Sequence, residues 1–332
     1  MKVLLTGASG MLGRQTAEAL AGRGDEVTVL QRRPSGLRLP EVLADVTDAS
    51  SVLEAVRGHD AVVHLAAKVD VVGRWRDYER ANVQGTANVV EACRAVGVRR
   101  LVHVSSPSVA HAGTGLVGAG AEPADPRRAR GHYARSKALA EQVALAADRG
   151  PLAVLAVRPH LVWGPGDTQL IGRIVERARA GRLPIIGSGA ALVDSTYVSN
   201  AVDALVAALD RCESARGEAY VVSNGEPRPV AELIGDICLA SGVAAPTRHV
   251  PFPVAALAGV AVDAIWAVRL ALPGLRTPGD PPLTRFLAEQ LATAHWFDQR
   301  RTRAALGWTP RVSLAEGLTE LGRAPCRSGP PE

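Results

Sequence analysis

A tyrosine and a lysine four residues apart are the pair in this chain best suited to proton transfer. Tyr133 is one of four tyrosines, and Lys137 is one of only three lysines among 38 basic residues. The residues around them favour a helix, and a spacing of four then places both side chains on one face. A phenol has a pKa of about 10, which a neighbouring ammonium ion lowers. The pair predicts an acid–base site, with a half-buried tyrosine beside a surface lysine as the alternative.

A glycine-rich turn near the start of the chain predicts a dinucleotide site. The apolar run Val3–Leu5 is typical of a buried strand, and a helical pattern follows from Arg14. Glycines at every third position between them allow a tight turn, close approach to a diphosphate and close helix–strand packing. The phosphates then lie at the helix N-terminus. A plain glycine turn is the alternative. The residues expected at the dinucleotide are Gly7, Ser9, Gly10, Met11, Leu12 and Gly13.

The end of the second strand indicates which dinucleotide is bound. NAD-specific sites have an acidic residue here, which binds the ribose 2′-hydroxyl and would repel a 2′-phosphate. In this chain the strand runs into Gln31, Arg32 and Arg33, with no acid at its tip. Guanidinium groups suit a phosphate, so the sequence predicts NADP(H) held by Arg32 and Arg33. If both arginines are merely solvated, NAD still lacks its usual partner.

With both motifs in place, the chain resembles the extended short-chain dehydrogenase/reductase family. The resemblance implies a nicotinamide cofactor, and it places further residues around that cofactor in the expected order along the chain. These are Asp45 and Val46 beside the adenine, Leu65, Ala66 and Ala67 at the strand end under the cofactor, Asn82 at the start of an N-V-x-G-T helix, and Pro159 next to the nicotinamide.

The same resemblance implies catalytic roles for three residues. Tyr133 gives its phenolic proton to the substrate oxygen, and Ser106 forms a hydrogen bond to that oxygen. Lys137 lowers the pKa of Tyr133 and binds the nicotinamide ribose. Ser105 lies on the same strand end as Ser106 and remains the alternative serine.

The alternation of strand-like and helical segments predicts the fold. It indicates an α/β protein with a Rossmann-type, doubly wound parallel sheet and a smaller C-terminal substrate-binding lobe. We expect residues 1–160 to form the NADP-binding domain, whose sheet also receives segments of about 190–225. Residues 161–325 are expected to form mainly the lobe, and 326–332 a disordered tail.

Composition and cysteine spacing limit the class of protein. Hydrophobic residues make up 47% and charged residues 21% of 332, and the net charge of +5 is mild. Because no arginine run is interleaved with aromatic residues, nucleic acid is not an expected partner. Four scattered cysteines predict neither a metal site nor a disulfide framework. An N-terminal strand that begins at residue 3 leaves no signal peptide. We therefore expect a cytoplasmic enzyme with a small-molecule substrate, as a homodimer.

Two segments remain outside the nucleotide motifs. Residues 111–131 are rich in glycine and proline, which predicts a long binding loop or lid just before Tyr133. The apolar segment Val254–Leu272 is long enough to span a bilayer, but Asp263 and Arg269 would each cost roughly 2.5–3.5 kcal/mol there. We expect a buried helix that walls a substrate tunnel together with the loop 113–120. A helix lying on a membrane surface is the alternative.

The C-terminal half resembles one branch of the family more closely. The order of Arg158–Asp167 and Val193–Asn200 is similar to that of 3β-hydroxysteroid and sterol-4α-carboxylate dehydrogenases. The motifs Ser223–Pro227, Pro282–Gln290 and His295–Phe297 are more similar to bacterial 2-alkyl-3-oxoalkanoate reductases of long-chain olefin biosynthesis.

That second resemblance implies a lipid-like substrate: a β-keto acid with two long alkyl chains, reduced by NADPH to the 3-hydroxy acid. Partners would be the pathway's condensing enzyme, ligase and hydrolase, and peripheral membrane contact stays open. Alternatives are a 3β-hydroxysteroid or sterol-carboxylate dehydrogenase, a sugar-nucleotide epimerase or reductase, and a non-catalytic NADP-sensing protein. Candidate substrate residues are His111, Arg158 and His160, for the carboxylate, and Tyr197.

Overall fold

The computed structural model describes residues 1–70, 72–111, 113–272, 281 and 283–323. The strands are β1 (Lys2–Thr6), β2 (Glu26–Gln31), β3 (Glu41–Leu43), β4 (Ala61–His64), β5 (Arg100–Val104), β6 (Leu116–Ala119), β7 (Ala153–Pro159), β8 (Val162–Trp163), β9 (Ile185–Ile186), β10 (Leu192–Val193), β11 (Thr196–Tyr197), β12 (Ala219–Val222), β13 (Arg228–Pro229), β14 (His249–Val250) and β15 (His295–Phe297). The helices are α1 (Met11–Gly22), α2 (Ala49–Val56), α3 (Trp75–Tyr78), α4 (Gly85–Val96), α5 (Gly131–Leu145), α6 (Ile171–Arg179), α7 (Val198–Asp210), α8 (Val230–Ala240), α9 (Phe252–Ala271), α10 (Arg285–Ala292), α11 (Arg300–Leu306) and α12 (Leu314–Arg323), with a π-helix at Glu79–Gln84 and a 3₁₀-helix at Pro107–Ala110.

The main sheet has seven strands in the order β12-β7-β5-β4-β1-β2-β3. Every neighbouring pair runs parallel. The strand order reverses between β1 and β4, so a ligand crevice is expected beyond the carboxyl ends of these strands. The predicted Rossmann-type, doubly wound parallel sheet is therefore confirmed.

Both faces of this sheet are covered by helices, as the near-continuous apolar strands require. On one face, sheet residues pack with Leu20 of α1 and Leu205 of α7. On the other face they pack with Val52 of α2, Val89 of α4 and Ala144 of α5. The two cores fix the carboxyl edge of the sheet, from which the candidate site residues project.

Later segments of the chain return to this sheet. Strand β12, at 219–222, pairs with β7, and α7 covers the sheet beside it. Helix α11 also joins the sheet, because Leu306 lies in the same core and Thr302 Oγ1 donates to Val221 O at 2.8 Å. Part of the range 161–325 beyond the segments of about 190–225 thus packs on the sheet, and the division into domains stays a prediction. The predicted tail, 326–332, lies outside the described residues.

The rest of the C-terminal half forms the lobe. A four-stranded sheet has the order β13-β10-β15-β6, and two small pairs join β8 to β11 and β9 to β14. Helices α6, α8 and α12 share a core that contains Val175, Ile237 and Leu321. Helices α9 and α10 pack together around a separate small core with Ala255 and Ala288.

The segment 111–131 is not the continuous loop that its glycines predict. Strand β6 lies within it and pairs in parallel with β15. Gly118 has φ +58° and lies against the Trp296 ring, where a Cβ would come within 3.0 Å of the indole. Glycine here serves a packing role, and the non-local strand pairing outweighs the weak strand propensity of glycine.

Candidate active site

The turn after β1 has the shape that close approach to a diphosphate requires. Gly7 has φ +86°, and a Cβ there would lie 2.7 Å from Ala66 N. A Cβ on Gly13 would collide with the Gly7 carbonyl. At Gly10 the nearest atom is 4.0 Å away, so this residue faces open space. Two glycines therefore permit packing, and the third leaves room for a ligand.

The N-terminus of α1 offers donors to that ligand. The helix begins at Met11. Its N-cap residue is Gly10, which has no side chain that could accept a hydrogen bond from the first turn. The N–H groups of the first turn, including those of Met11 and Leu12, have no partner within the helix. Ser9 is exposed beside them. These features fit the diphosphate of a nicotinamide dinucleotide.

The tip of β2 differs from its sequence-based description in one respect. Strand β3 brings an acid to it: Glu41 Oε1 accepts hydrogen bonds from the Gln31 amide and from Ser35 N, the latter at 2.8 Å. These bonds lower the pKa of Glu41, the Ser35 backbone bond most. Arg32 and Arg33 are exposed, and neither forms an ion pair with another described residue. The tip thus holds one carboxylate already bound by the protein and two available guanidinium groups.

Other predicted cofactor residues lie along the same carboxyl edge. Asp45 Oδ1 accepts from Thr47 N at 2.9 Å, and Val46 is buried against Gly85. The strand end Leu65–Ala67 directly follows β4, and Pro159 is the last residue of β7. The edge therefore brings together residues that are more than a hundred positions apart in sequence.

A buried histidine ties two of these strands together. His64 Nδ1 lies 2.7 Å from Thr6 Oγ1, and its Nε2 lies 3.1 Å from Thr86 Oγ1. Burial, with a smaller effect of the Lys137 charge, lowers the pKa of His64 to about 3. Thr6 Oγ1 in turn accepts from Ala66 N at 3.1 Å. The neutral imidazole thus positions the strand end under the expected cofactor.

Tyr133 and Ser106 meet at the carboxyl end of β5. Tyr133 is on the first turn of α5, and the neighbouring Ser106 side chain opposes the rise that burial causes in the pKa of its hydroxyl. Ser106 Oγ also lies 2.9 Å from Ser108 Oγ and accepts from Ser108 N at 3.3 Å. Ser105 Oγ is buried and has no hydrogen-bond partner in the described part of the chain. The geometry therefore favours Ser106 over Ser105 as the serine that works with Tyr133.

Lys137 lies one turn along the same helix as Tyr133. Its Nζ donates to Val104 O at 2.6 Å, and burial lowers its pKa to about 8, partly offset by Glu141. Burial raises the pKa of Tyr133, and the Ser106 side chain only partly opposes this. The net direction for Tyr133 is therefore opposite to the expected one, and a lowering of its pKa by Lys137 stays a prediction.

Asn82 holds the start of α5 in place. Its Oδ1 accepts from Lys68 N at 2.7 Å, and its Nδ2 donates to Lys68 O at 3.1 Å and to Ser136 Oγ at 2.8 Å. Ser136 Oγ donates to Tyr133 O at 2.8 Å. Asn82 lies in the π-helical segment, an irregularity that is frequent at functional sites. It therefore positions the turn that carries Tyr133.

A cavity of about 520 Å³ joins Tyr133 to α9, a size typical of small-molecule sites. Helix α9 therefore walls the cavity as predicted. The predicted second wall, residues 113–120, does not line it, because β6 is engaged with β15. The lining residues are Val69, Asp70, Val72, Gly73, Arg130, Gly131, His132, Tyr133, Asp263, Trp266, Ala267, Leu270, Thr284, Arg285, Phe286, Leu287 and Glu289.

Three buried histidines form a cluster next to this cavity. The rings of His111 and His295 are 4.9 Å apart, and those of His160 and His295 are 6.5 Å apart. His111 also contacts Phe286 of the cavity wall, at 6.2 Å between centroids. Burial lowers the pKa of all three, to about 3 for His160 and about 4 for His295. The predicted residues His111 and His160 are thus brought together as neutral groups.

Arg158 is not available to a substrate. Its side chain is fully buried, its Nε donates to Glu141 Oε2 at 2.8 Å, and its Nη1 donates to Glu122 O at 2.7 Å. A second bond to Glu141 makes the pair bidentate. The charge of Arg158 is therefore already neutralised, and its predicted role at the substrate carboxylate is wrong.

Arg130 and Arg285 are the arginines among the described residues that line the cavity, and Arg130 is the less tightly paired of the two. It is 43% exposed and only loosely paired, with 3.9 Å between its Nε and Glu289 Oε2. Arg130 is not among the residues predicted from the sequence, and only its position in the fold brings it to the cavity.

Tyr197 is a structural residue of the lobe. It is buried, its ring packs edge-on against Trp163, and its hydroxyl donates to Glu320. A Cβ on Gly317 would lie 2.6 Å from the Tyr197 ring. The predicted role of Tyr197 in substrate binding is therefore wrong, because α12 covers this side chain.

Among the described residues, no group of three or more histidine, cysteine or acidic side chains could hold a metal ion. The described cysteines, Cys93, Cys212 and Cys238, are free and buried.

Comparison with known proteins identifies the class. The NAD dependent epimerase/dehydratase family matches residues 3–223, which include the glycine turn, Tyr133 and Lys137. The chain belongs to this family of extended short-chain dehydrogenases/reductases, whose members use a nicotinamide cofactor. It is an oxidoreductase that acts on CH–OH and C=O groups.

Its curated relatives include reductases and dehydrogenases with named substrates. The chain is 42% identical to a 2-alkyl-3-oxoalkanoate reductase of Stenotrophomonas maltophilia, over 97% of this chain and 98% of that protein. It is 35% identical to the enzyme of the same name from Shewanella oneidensis, over 96% and 84%. Human sterol-4-alpha-carboxylate 3-dehydrogenase, decarboxylating, is 29% identical over 94% and 85%. These relatives support a reductase of the 2-alkyl-3-oxoalkanoate type.

Solved structures share the architecture. MoeE5 in complex with UDP-glucose and NAD has a TM-score of 0.73 and 28% identity, covering 97% of this chain and 98% of that one. A UDP-glucuronic acid 4-epimerase from Bacillus cereus has a TM-score of 0.72 at 21% identity, covering 97% and 99%, and shows the fold alone.

Proposed function

We propose that this protein reduces a 2-alkyl-3-oxoalkanoate with two long alkyl chains to the 2-alkyl-3-hydroxyalkanoate, with NADPH, in long-chain olefin biosynthesis. The observation that carries the proposal is the cavity that Tyr133 shares with the apolar residues Trp266, Ala267 and Leu270 of α9. The choice of substrate is supported by two relatives named 2-alkyl-3-oxoalkanoate reductase, at 42% and 35% identity over nearly the whole chain.

Each residue of the site is assigned one role in the reduction of a ketone. Bound NADPH supplies the hydride. Tyr133 Oη gives its proton to the C3 oxygen, and Ser106 Oγ donates a hydrogen bond to that oxygen as negative charge develops. Because burial raises the pKa of Tyr133, its hydroxyl carries the proton before the reaction. The Lys137 ammonium group, held at Val104 O, places a positive charge beneath the site.

The substrate carboxylate is assigned to the side of the cavity that carries positive charge. Arg130 lies on the wall close to Tyr133, and its partner Glu289 is shared with Arg285, whose Nε is 2.9 Å from Glu289 Oε1. A β-keto carboxylate places its acid group one carbon from the ketone. A guanidinium group beside the proton donor suits that spacing.

NADP(H) is proposed over NAD(H) from the composition of the β2 tip. Arg32 and Arg33 are exposed and available for a 2′-phosphate. The nearest acid, Glu41, already accepts bonds from Gln31 and Ser35. It is therefore a poorer partner for a ribose hydroxyl than a free carboxylate would be.

A chain-length series tests the proposed substrate. The reaction is run as oxidation of 2-alkyl-3-hydroxyalkanoic acids with NADP, and each added methylene should raise kcat/KM by about fourfold until the cavity is filled, since burial contributes about 0.8 kcal/mol. 3β-Hydroxysteroids and UDP-sugars, run as matched controls, should give almost no turnover. A flat response to chain length with robust steroid turnover would instead assign the enzyme to the steroid branch.

A further inference from the structure

Helix α9 exposes half of its circumference to water, and that half is apolar. Phe252–Leu270 is long and apolar enough to cross a membrane, yet only 17% of this window is buried. At 100° per residue the exposed positions fall on one continuous half of the helix. Its large side chains include Leu257, 73% exposed, and Val268, 57% exposed. The expectation of a buried helix is therefore wrong for this half, since α10 covers only the other side.

The other half of the helix packs closely against the lobe. A Cβ on Gly259 would lie 2.5 Å from Arg285 N, so the backbones of α9 and α10 are in close contact. Asp263 Oδ2 also accepts from Arg285 N at 3.1 Å. The face toward α10 contributes Trp266 and Leu270 to the cavity of Tyr133. One helix thus separates the candidate active site from an exposed apolar surface.

Basic residues lie at both ends of that surface. Arg248 is exposed just before α9. At the other end, Arg74 Nε donates to Leu270 O at 3.1 Å, and the Arg269 guanidinium lies 5.7 Å from the Trp266 ring centroid. Arginines that flank an apolar helix face can reach lipid phosphates while their stems remain in the apolar layer.

The composition of the surface favours a bilayer over a protein partner. The exposed positions from Leu257 to Val268 carry only aliphatic side chains, on one convex half of a single helix. Protein interfaces usually have a polar rim and about one hydrogen bond per 100–200 Å², and these positions supply no polar group for one. A bilayer needs no matching shape, and it attracts flanking arginines when its lipids are anionic.

We propose that α9 lies in the surface of an anionic lipid bilayer, with its exposed half in the acyl boundary and Arg74, Arg248 and Arg269 at the headgroups. The cavity behind the helix then opens beside the membrane. Resting on the proposed function, this placement lets a two-chain lipid acid reach Tyr133 without crossing water. The docking itself requires no substrate and can be measured alone.

Sedimentation with vesicles tests the docking. The full-length protein is mixed with phosphatidylcholine vesicles with and without phosphatidylglycerol. It should sediment with the anionic vesicles, and less at high salt. Leu257→Glu and Val268→Glu should each lower the partition coefficient at least about tenfold, because each removes the burial of an aliphatic side chain. Leu239→Glu, at a leucine 65% exposed on α8, is the matched control and should bind like the wild type.

Three results would overturn the proposal. The first is wild-type protein that stays in the supernatant with every vesicle composition. The second is equal loss of binding in the Leu257→Glu and Leu239→Glu variants, with unchanged thermal unfolding in both. The third is a light-scattering measurement in which Leu257→Glu converts a dimer to a monomer, since a second copy of the chain would then cover α9. None of these results bears on the substrate series that tests the proposed function, so the two failures are distinguishable.

Discussion

The two walls of the cavity are built on opposite principles. On the Tyr133 side, polar groups are buried and joined by hydrogen bonds, as in the chain from Lys68 through Asn82 and Ser136 to Tyr133. On the α9 side, a helix presents apolar residues both to the cavity and to solvent. The first wall fixes atoms where a proton must move, and hydrogen bonds provide that precision. The second wall supplies apolar contact area but few directional hydrogen bonds, which suits the long alkyl chains of the proposed substrate.

The largest expected effect comes from breaking the polar wall at its centre. Tyr133→Phe removes the proton donor but keeps the ring, so turnover should fall by about 10²–10⁴ while cofactor affinity is retained. Tyr220→Phe removes a hydroxyl that donates to Ala215 O at 3.1 Å on the edge strand β12, and it serves as the control. Steady-state rates and cofactor titration measure both. Wild-type turnover in the Tyr133→Phe enzyme would remove Tyr133 from the mechanism.

Cofactor preference tests a second polar region, the tip of β2, which lies outside the cavity. Gln31→Asp combined with Arg32→Ala should shift the ratio of NADPH to NADH efficiency by about 10- to 150-fold, because a charge-assisted bond contributes about 1.5–3 kcal/mol. Glu41→Gln is the companion variant and should leave the ratio unchanged, since Glu41 is occupied by Gln31 and Ser35. A wild-type enzyme that prefers NADH would refute the phosphate assignment.

Acid stability should expose the cost of the buried histidines. The folded-state pKa of His160 is lowered to about 3 by burial, so between pH 6.5 and that value the unfolded chain binds a proton that the folded chain does not. The free energy of unfolding therefore falls as pH falls below 6.5, by roughly 2 kcal/mol for this residue at pH 5. Urea unfolding of His160→Asn at pH 7 and pH 5 should show a smaller loss. The exposed His249→Asn is the control, and equal losses in wild type and His160→Asn would contradict the prediction.

The smallest expected effect is at the rim between the two walls. Arg130 is 43% exposed, so its pairing with a substrate carboxylate should contribute about 0.2–1 kcal/mol. Arg130→Gln should then raise KM by at most about fivefold, with little change in kcat. The adjacent Arg128, exposed and outside the cavity, provides the control as Arg128→Gln. An unchanged KM in the Arg130→Gln enzyme would leave the carboxylate to the histidine cluster.

Local motifs predicted where the glycine turn and the Tyr133 side of the cavity lie, because these residues are recognised by short spacings along the chain and by their positions at strand ends. The Gly7–Gly13 turn and the Tyr133–Lys137 spacing are of this kind. Errors arose where a distant segment supplied the decisive neighbour. Strand β3 brings Glu41 to the β2 tip, and α5 brings Glu141 to Arg158. No local pattern encodes those partners.

The apolar wall was only half predictable for a related reason. Composition showed that Val254–Leu272 is apolar, but not which half faces water, because aliphatic residues occupy every face of the helix. Only the position of α10 decides that. The histidine cluster is similar, since β15 carries His295 next to His111 through its pairing with β6.

Direct observation of hydride transfer tests the central claim. A 2-alkyl-3-hydroxyalkanoic acid with deuterium at C3 is oxidised with NADP, and mass spectrometry follows the label. Direct hydride transfer should place one deuterium at C4 of the NADPH formed, and the amount of NADPH should equal the amount of ketone produced. Conversion of the substrate without net NADPH formation, or absence of label from the nicotinamide, would contradict the claim that this protein is a 2-alkyl-3-oxoalkanoate reductase.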